Sequence, residues 1–177
     1  VIDVISLQQQ FIGELGTEDV VSIGQVLRDV LKMSKTAIDE HDIKLKKDIH
    51  GDALLLVDPS LLKQILLTVL KHSMLSINKV RRVPSILEIS CVDVDAPANE
   101  GKRNVILKIA DNGYGIVFSQ DADDNDHESD LHAQRELTYC QQMIEKYGGT
   151  FKIDFSKGTG SKVLITMPAH AEVKPTT

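Results

Sequence analysis

The 177-residue sequence has no tryptophan, and aromatic residues make up only 4% of it. So little aromatic surface argues against stacking platforms for single-stranded nucleic acid or glycans. Cysteine is scarce too. Cys91 and Cys140 form no CxxC pair, so neither a disulfide scaffold nor a cysteine zinc site is encoded. A reducing compartment, the cytoplasm, is the default reading. Basic residues are outnumbered, 20 Lys plus Arg against 26 Asp plus Glu, and the net charge of −6 makes a nucleic-acid-binding surface a poor expectation. No apolar run reaches the roughly 18 residues that would mark a membrane span, so no membrane contact is expected. The sequence begins at Val1 without a charged-then-apolar leader and reads as a piece of a longer chain.

What is present suffices for a core: 42% of residues are hydrophobic and 26% charged. Residues 1–16 carry Val1, Val4, Ile5, Phe11, Ile12 and Leu15 near helical spacing and end in glycines. Ser22 with Gln25 reads as a capping box opening a helix whose inner face is Ile23, Val26, Leu27, Val30, Leu31, Ser34, Ala37 and Ile38. Two short strands follow, around Ile43–Leu45 and Leu54–Val57. Asp58-Pro59 is an N-cap followed by a first-turn proline, and Leu62, Ile65, Leu66, Val69, Leu70, Ser73 and Ile77 form the next buried face. Residues 78–84 read as a basic turn. Strands are expected over 86–94 and 105–110, then a tight Asp-Asn-Gly-Tyr-Gly loop at 111–115. Six of the ten residues from Asp121 to Asp130 are acidic, the pattern of a mobile loop. A helix with Leu131, Leu137, Cys140, Ile144 and Tyr147 on one face stops at Gly148-Gly149, and strands over 151–155 and 163–167 close the chain.

This order lacks the strict alternation of a doubly wound parallel sheet. It predicts an α+β two-layer sandwich, a mixed and mostly antiparallel sheet with about three helices on one face. The main domain spans 17–170, followed by a frayed tail over 171–177.

Asp111-x-Gly113-x-Gly115-Ile116 is a weak signal alone, since any tight turn uses such glycines. An aspartate ending a buried strand is more pointed, because its carboxylate can accept from a purine amine. In order with the helix opening at Asp58 and the Glu145–Phe151 and Gly158-Thr159-Gly160-Ser161 segments, it resembles the ATP-binding catalytic domain of sensor histidine kinases. That superfamily is shared with gyrase, heat-shock chaperone and mismatch-repair ATPases, and its fold is the Bergerat type. The resemblance covers roughly residues 20–168. It implies that Asp111 binds the adenine amine, that Gly113 and Gly115 shape the pocket floor with Ile116 completing the cofactor-binding glycine box, and that Thr159 and Gly160 belong to the final hairpin. It also implies a magnesium-bound ATP and transfer of its γ-phosphoryl group to a histidine outside this sequence. Residues 1–16 resemble the end of a dimerisation helix. The expected partners are a phosphoacceptor-helix domain and a response regulator, with a homodimeric parent.

The phosphate half departs from the family. Its magnesium-binding asparagine is His72, and imidazole is a poor ligand for a hard ion. His72 is therefore either a metal or phosphate contact or a hydrogen-bonded edge residue. Thr68, His72 and Lys79 share one edge of their helix and are expected to face the pocket. The second glycine box aligns to Gln134-Arg135-Glu136-Leu137, which lacks the glycines whose amides cradle phosphate; Arg135 either replaces part of that attraction or makes a surface ion pair. The acidic run would further oppose a triphosphate if it lies close. Two outcomes follow: a kinase domain with impaired phosphate binding, or a non-catalytic module that regulates a partner kinase by contact.

Overall fold

The computed structural model describes residues 16–80, 82–96, 102–115, 127–156 and 158–170. The expected first helix (1–15), Ile116, and the acidic residues from Asp121 to Asp126 lie outside them.

Among the described residues ten elements follow in order: β1 Asp19–Ser22, α1 Ile23–Glu40, β2 Ile43–Ile49, β3 Leu54–Val57, α2 Pro59–Val80, β4 Ser85–Asp95, β5 Arg103–Asp111, α3 His127–Lys146, β6 Thr150–Ser156 and β7 Gly160–Pro168. The main sheet runs β2-β4-β5-β7-β6. Among the described strands of this sheet only β2 and β4 pair in parallel, and the other pairings are antiparallel. β1 and β3 form a separate antiparallel pair. The expected mixed α+β sandwich with three helices is what the chain builds.

Alternation along the strands creates the helix-facing side. Leu87, Ile89 and Cys91 on β4, Val105, Leu107 and Ile109 on β5, and Val163, Ile165 and Met167 on β7 are all buried, while the residues between them are partly or fully exposed. Three apolar helix stripes cover this face. On α1 it is Ile23, Val26, Leu27, Val30 and Ile38, on α2 Leu62, Ile65, Leu66, Val69, Leu70 and Ile77, and on α3 Leu137, Cys140 and Ile144. Asp111 continues the 105-107-109 alternation, so its carboxylate leaves the strand on the helix side although the residue is polar.

The caps behave as their residue types require. The Asp58 carboxylate accepts from Ser60 N–H at 2.8 Å and Leu61 N–H at 3.3 Å and starts α2. Ser22 Oγ accepts from Gln25 N–H at 3.1 Å, but the reciprocal half of the capping box is not made. Gln25 instead turns along the helix, donating to Asp29 and accepting from Arg28.

Local details differ from the expectations. β1 is an added strand, too short to show a period and held by a partner 35 residues or so downstream in the ladder Asp19↔Val57. The two expected short strands go to different sheets, β2 beside β4 in the main sheet and β3 beside β1. α2 runs on through Asn78 and Lys79 to Val80, so the basic turn begins later. Leu131 is 41% exposed; the buried stripe of α3 is Ala133, Leu137, Cys140 and Ile144, spaced by four, three and four, and Leu131 falls off it.

Candidate nucleotide site and the α2–α3 seam

Asp111 is buried, and three groups hold its carboxylate. Oδ1 accepts from Ser76 Oγ at 2.7 Å and from Gly113 N–H at 2.9 Å, and Oδ2 accepts from Ser161 Oγ at 2.5 Å. A carboxylate offers about four acceptor positions, so among the described residues one stays open on Oδ2. The carboxylate is thus fixed in direction and still able to accept one further N–H.

The glycines are where the backbone leaves no room. A Cβ on Gly113 would lie 2.3 Å from the carbonyl carbon of Ser76, and one on Gly160 would lie 1.9 Å from the Asp111 carbonyl oxygen. Gly160 also sits at φ +102°, where side chains are strained. The loop and the α2 end are stitched together: Tyr114 N–H donates to Ser76 O at 2.9 Å and Gly115 N–H to Ser76 Oγ at 2.9 Å. Gly158 N–H donates to Tyr114 O at 2.7 Å, bringing in the β6–β7 turn. Asn112 points the other way, accepting from Ile86 N–H at 2.8 Å and donating to Pro84 O at 2.9 Å, which extends the β4–β5 pairing past the strand end.

The residues expected at the site therefore fall into two groups. Asp111, Gly113, Gly115 and Gly160 converge on the C-terminal part of α2. Thr159 is exposed in the adjoining turn, and the Lys79 ammonium lies 5.9 Å from the centroid of the Tyr114 ring. Thr68 and His72 go elsewhere. They are buried in the seam between α2 and α3, where Thr68 hydrogen-bonds the Cys140 thiol and His72 meets Glu136. Arg135 is on the exposed side of α3.

Ser76 and Ser161 are the site residues that sequence reading passed over. Ser76 had a signal: Thr68, His72 and Ser76 recur every four residues on one face of α2. Ser161 directly follows the Gly-Thr-Gly turn, but only the β5–β7 pairing sets it against Asp111.

In the seam, His72 Nε2 and Glu136 Oε2 are 2.7 Å apart, and Lys71 Nζ donates to Oε1 at 3.0 Å and Oε2 at 2.8 Å. His132 Nδ1 stands 3.7 Å from the same Oε2. Burial pushes the Glu136 carboxyl up, yet the hydrogen bonds and charges of His72 and Lys71 outweigh it and hold the group at about 2. An ionised carboxylate only accepts, so His72 Nε2 carries the proton. That donor set does not fit magnesium. The ion needs several oxygens in octahedral order, and here one carboxylate is already committed to an ammonium and an imidazole N–H. Among the described residues no group of three or more His, Cys, Asp or Glu side chains is arranged to hold a metal.

No protein-family model and no curated protein matches the chain. Solved structures do. The histidine kinase AdeS of Acinetobacter baumannii is 19% identical with a TM-score of 0.59, over 94% of this chain and 74% of that one. The catalytic domain of histidine kinase ThkA, in a nucleotide-free form, is 15% identical with a TM-score of 0.64, over 87% of this chain and 97% of that one. Full-length ShkA in complex with AMPPNP is 18% identical with a TM-score of 0.61, over 89% of this chain and 32% of that one. The chain has the fold of a histidine kinase catalytic domain. Within that fold, the clamped Asp111 and the Glu136-filled seam are neighbours, since His72 and Ser76 stand one helical turn apart, about 6 Å of rise. Among the described residues no helix is long and apolar enough to cross a membrane.

Proposed function

We propose that this chain is the adenine-nucleotide-binding domain of a cytoplasmic sensor histidine kinase, with its base-recognition end intact and its phosphate end obstructed. The observation that carries this reading is Asp111: a buried carboxylate, oriented by Ser76, Ser161 and Gly113, with one acceptor position left for an exocyclic amine. In this reading Gly113 and Gly160 let the backbone come close, Gly115 and Ile116 complete the pocket floor, and Lys79, Thr159 and Arg135 are the remaining nucleotide contacts. The phosphoryl group of ATP would go to a histidine on a phosphoacceptor helix of the parent or a partner, and from there to a response regulator. The parent is taken as a homodimer.

A second reading, a non-catalytic module that regulates a partner kinase by contact, is favoured by one observation. Glu136 occupies the seam beside His72 with a negative charge, where the family resemblance implies glycine amides and metal. Both readings share the adenine end and differ at the phosphates.

Isothermal titration with adenosine, ADP and magnesium-ATP separates them. Adenosine and ADP are expected to bind, with Asp111→Asn weakening adenosine at least about tenfold, the loss of one well-placed hydrogen bond to a charged group. Magnesium-ATP tighter than ADP, with transfer to an added phosphoacceptor domain, would select the kinase. Absence of adenosine binding would reject the nucleotide reading altogether.

A further inference from the structure

Lys71 and His72 present three polar hydrogens to one small region of the α2–α3 seam, and all of them are spent on a single side chain. Glu136 is nearly buried, at 11% side-chain exposure, and His72 is 5% exposed; the Lys71 side chain, at 35%, keeps this spot in contact with solvent. His132, on the same helix as Glu136, adds a third nitrogen at 3.7 Å. No other charged side chain among the described residues is within ion-pair distance of the Glu136 carboxylate. A carboxylate and a phosphoryl group are both oxygen anions that accept from the same donors at similar distances, so one can take the other's place without leaving an N–H unpaired. Ser76, which clamps Asp111, is one turn further along the same face of α2.

We propose that Lys71 and His72 form an anion-binding subsite which the Glu136 carboxylate fills as an internal ligand, so that a phosphate-bearing molecule enters only by displacing it. That this anion is the phosphate end of an adenine nucleotide rests on the reading of Asp111 above; the subsite itself does not. Glu136 acts here as a competitor tethered to α3. It turns phosphate binding into an exchange and couples that exchange to the position of α3, which is held to α2 through the same carboxylate. A ligand without phosphate meets no such competition.

The probe is inorganic pyrophosphate, titrated calorimetrically at fixed ionic strength into the whole chain, its Glu136→Gln variant and the Glu136→Gln, Lys71→Met double variant, with adenosine titrated in parallel. Glu136→Gln is expected to bind pyrophosphate at least about tenfold more tightly than the unaltered protein, and the double variant to lose that gain. Equal pyrophosphate affinity in the unaltered and Glu136→Gln proteins would overturn the subsite, as would equal affinity in the single and double variants. Should Glu136→Gln lose its native circular dichroism, Glu136→Ala supplies the same comparison. Adenosine affinity is expected to be the same in all three proteins. If adenosine binds none of them while pyrophosphate behaves as expected, the nucleotide reading fails and the subsite stands; if adenosine binds and pyrophosphate is indifferent to Glu136, the subsite alone fails.

Discussion

Ser76 on α2 and Asp111 at the end of β5 are joined by a 2.7 Å hydrogen bond, and the same hydroxyl accepts from Gly115 N–H at 2.9 Å. One side chain thus fixes both the acid that would read a base and the loop that follows it. Removing it strands the buried Gly115 amide and leaves Asp111 Oδ1 with the Gly113 N–H alone. Ser76→Ala is expected to lower unfolding stability by about 1–3 kcal/mol in urea titrations. Adenosine should also bind more weakly, because Asp111 then keeps only two of its three orienting hydrogen bonds, from Gly113 and Ser161. An unchanged denaturation midpoint would mean that water replaces the hydroxyl at no cost.

Two glycines of the β6–β7 turn make a matched pair. Gly158, at φ +81°, has nothing within 4 Å of an added Cβ, whereas the Cβ of Gly160 would fall 1.9 Å from the Asp111 carbonyl oxygen. Gly158→Ala should cost about 1 kcal/mol, from backbone strain alone. Gly160→Ala carries that strain plus a backbone clash and should exceed about 3 kcal/mol or abolish folding. Equal losses of melting temperature in the two variants would contradict the close approach.

Much of this was legible in the sequence, and the parts that were not share a cause. The α1 and α2 stripes follow from 3.6-residue periodicity, and the Asp58 cap from residue chemistry. Asp111 stood out as a polar residue ending an apolar alternation. β1 was invisible because its four residues gain their strand character from β3, a pairing made across the whole of α1 and β2. The partition of Thr68 and His72 from the Asp111 cluster was equally hidden. A helical wheel gives the face of α2 on which they lie, but not where α3 crosses it, and Glu136 becomes the partner of His72 only through that crossing.

Acid should loosen the seam. The Glu136 carboxyl is lowered from its ordinary 4.5 to about 2. A lowered folded-state value means that its contribution to stability is complete above about pH 4.5 and is lost as pH falls toward about 2. The shift sets a ceiling near 3 kcal/mol, and solvent around Lys71 brings the expected value closer to about 1 kcal/mol. Denaturant midpoints of the unaltered protein and Glu136→Gln should therefore differ near neutral pH and converge in that acid window. Parallel profiles would show that the carboxylate adds nothing to folding.

The two thiols should be inert in the native protein. Burial raises Cys91 to about 11 and Cys140 to about 12, and the negative charges of Asp93 and Glu136 respectively add to the effect. Near neutral pH neither supplies thiolate, the reactive form. Iodoacetamide is expected to label neither residue in the native protein and both after denaturation, as read by mass spectrometry. Native labelling at Cys140 would reveal opening of the α2–α3 seam.

The Asp111 carboxylate is gripped by groups 35 and 50 residues away in the chain, Ser76 on α2 and Ser161 on β7. No fragment and no half-folded intermediate can own that grip, because it exists only when helix layer and sheet are both in place. A molecule that binds there can therefore discriminate only between the finished domain and everything else. Occupancy then raises the free energy of global unfolding by RT ln(1 + [L]/Kd) and leaves local fraying elsewhere untouched. Saturation would slow the most protected amides of β5 and β7 while exposed edges exchange at their usual pace, so the bound state would announce itself as a domain-wide gain in cooperativity.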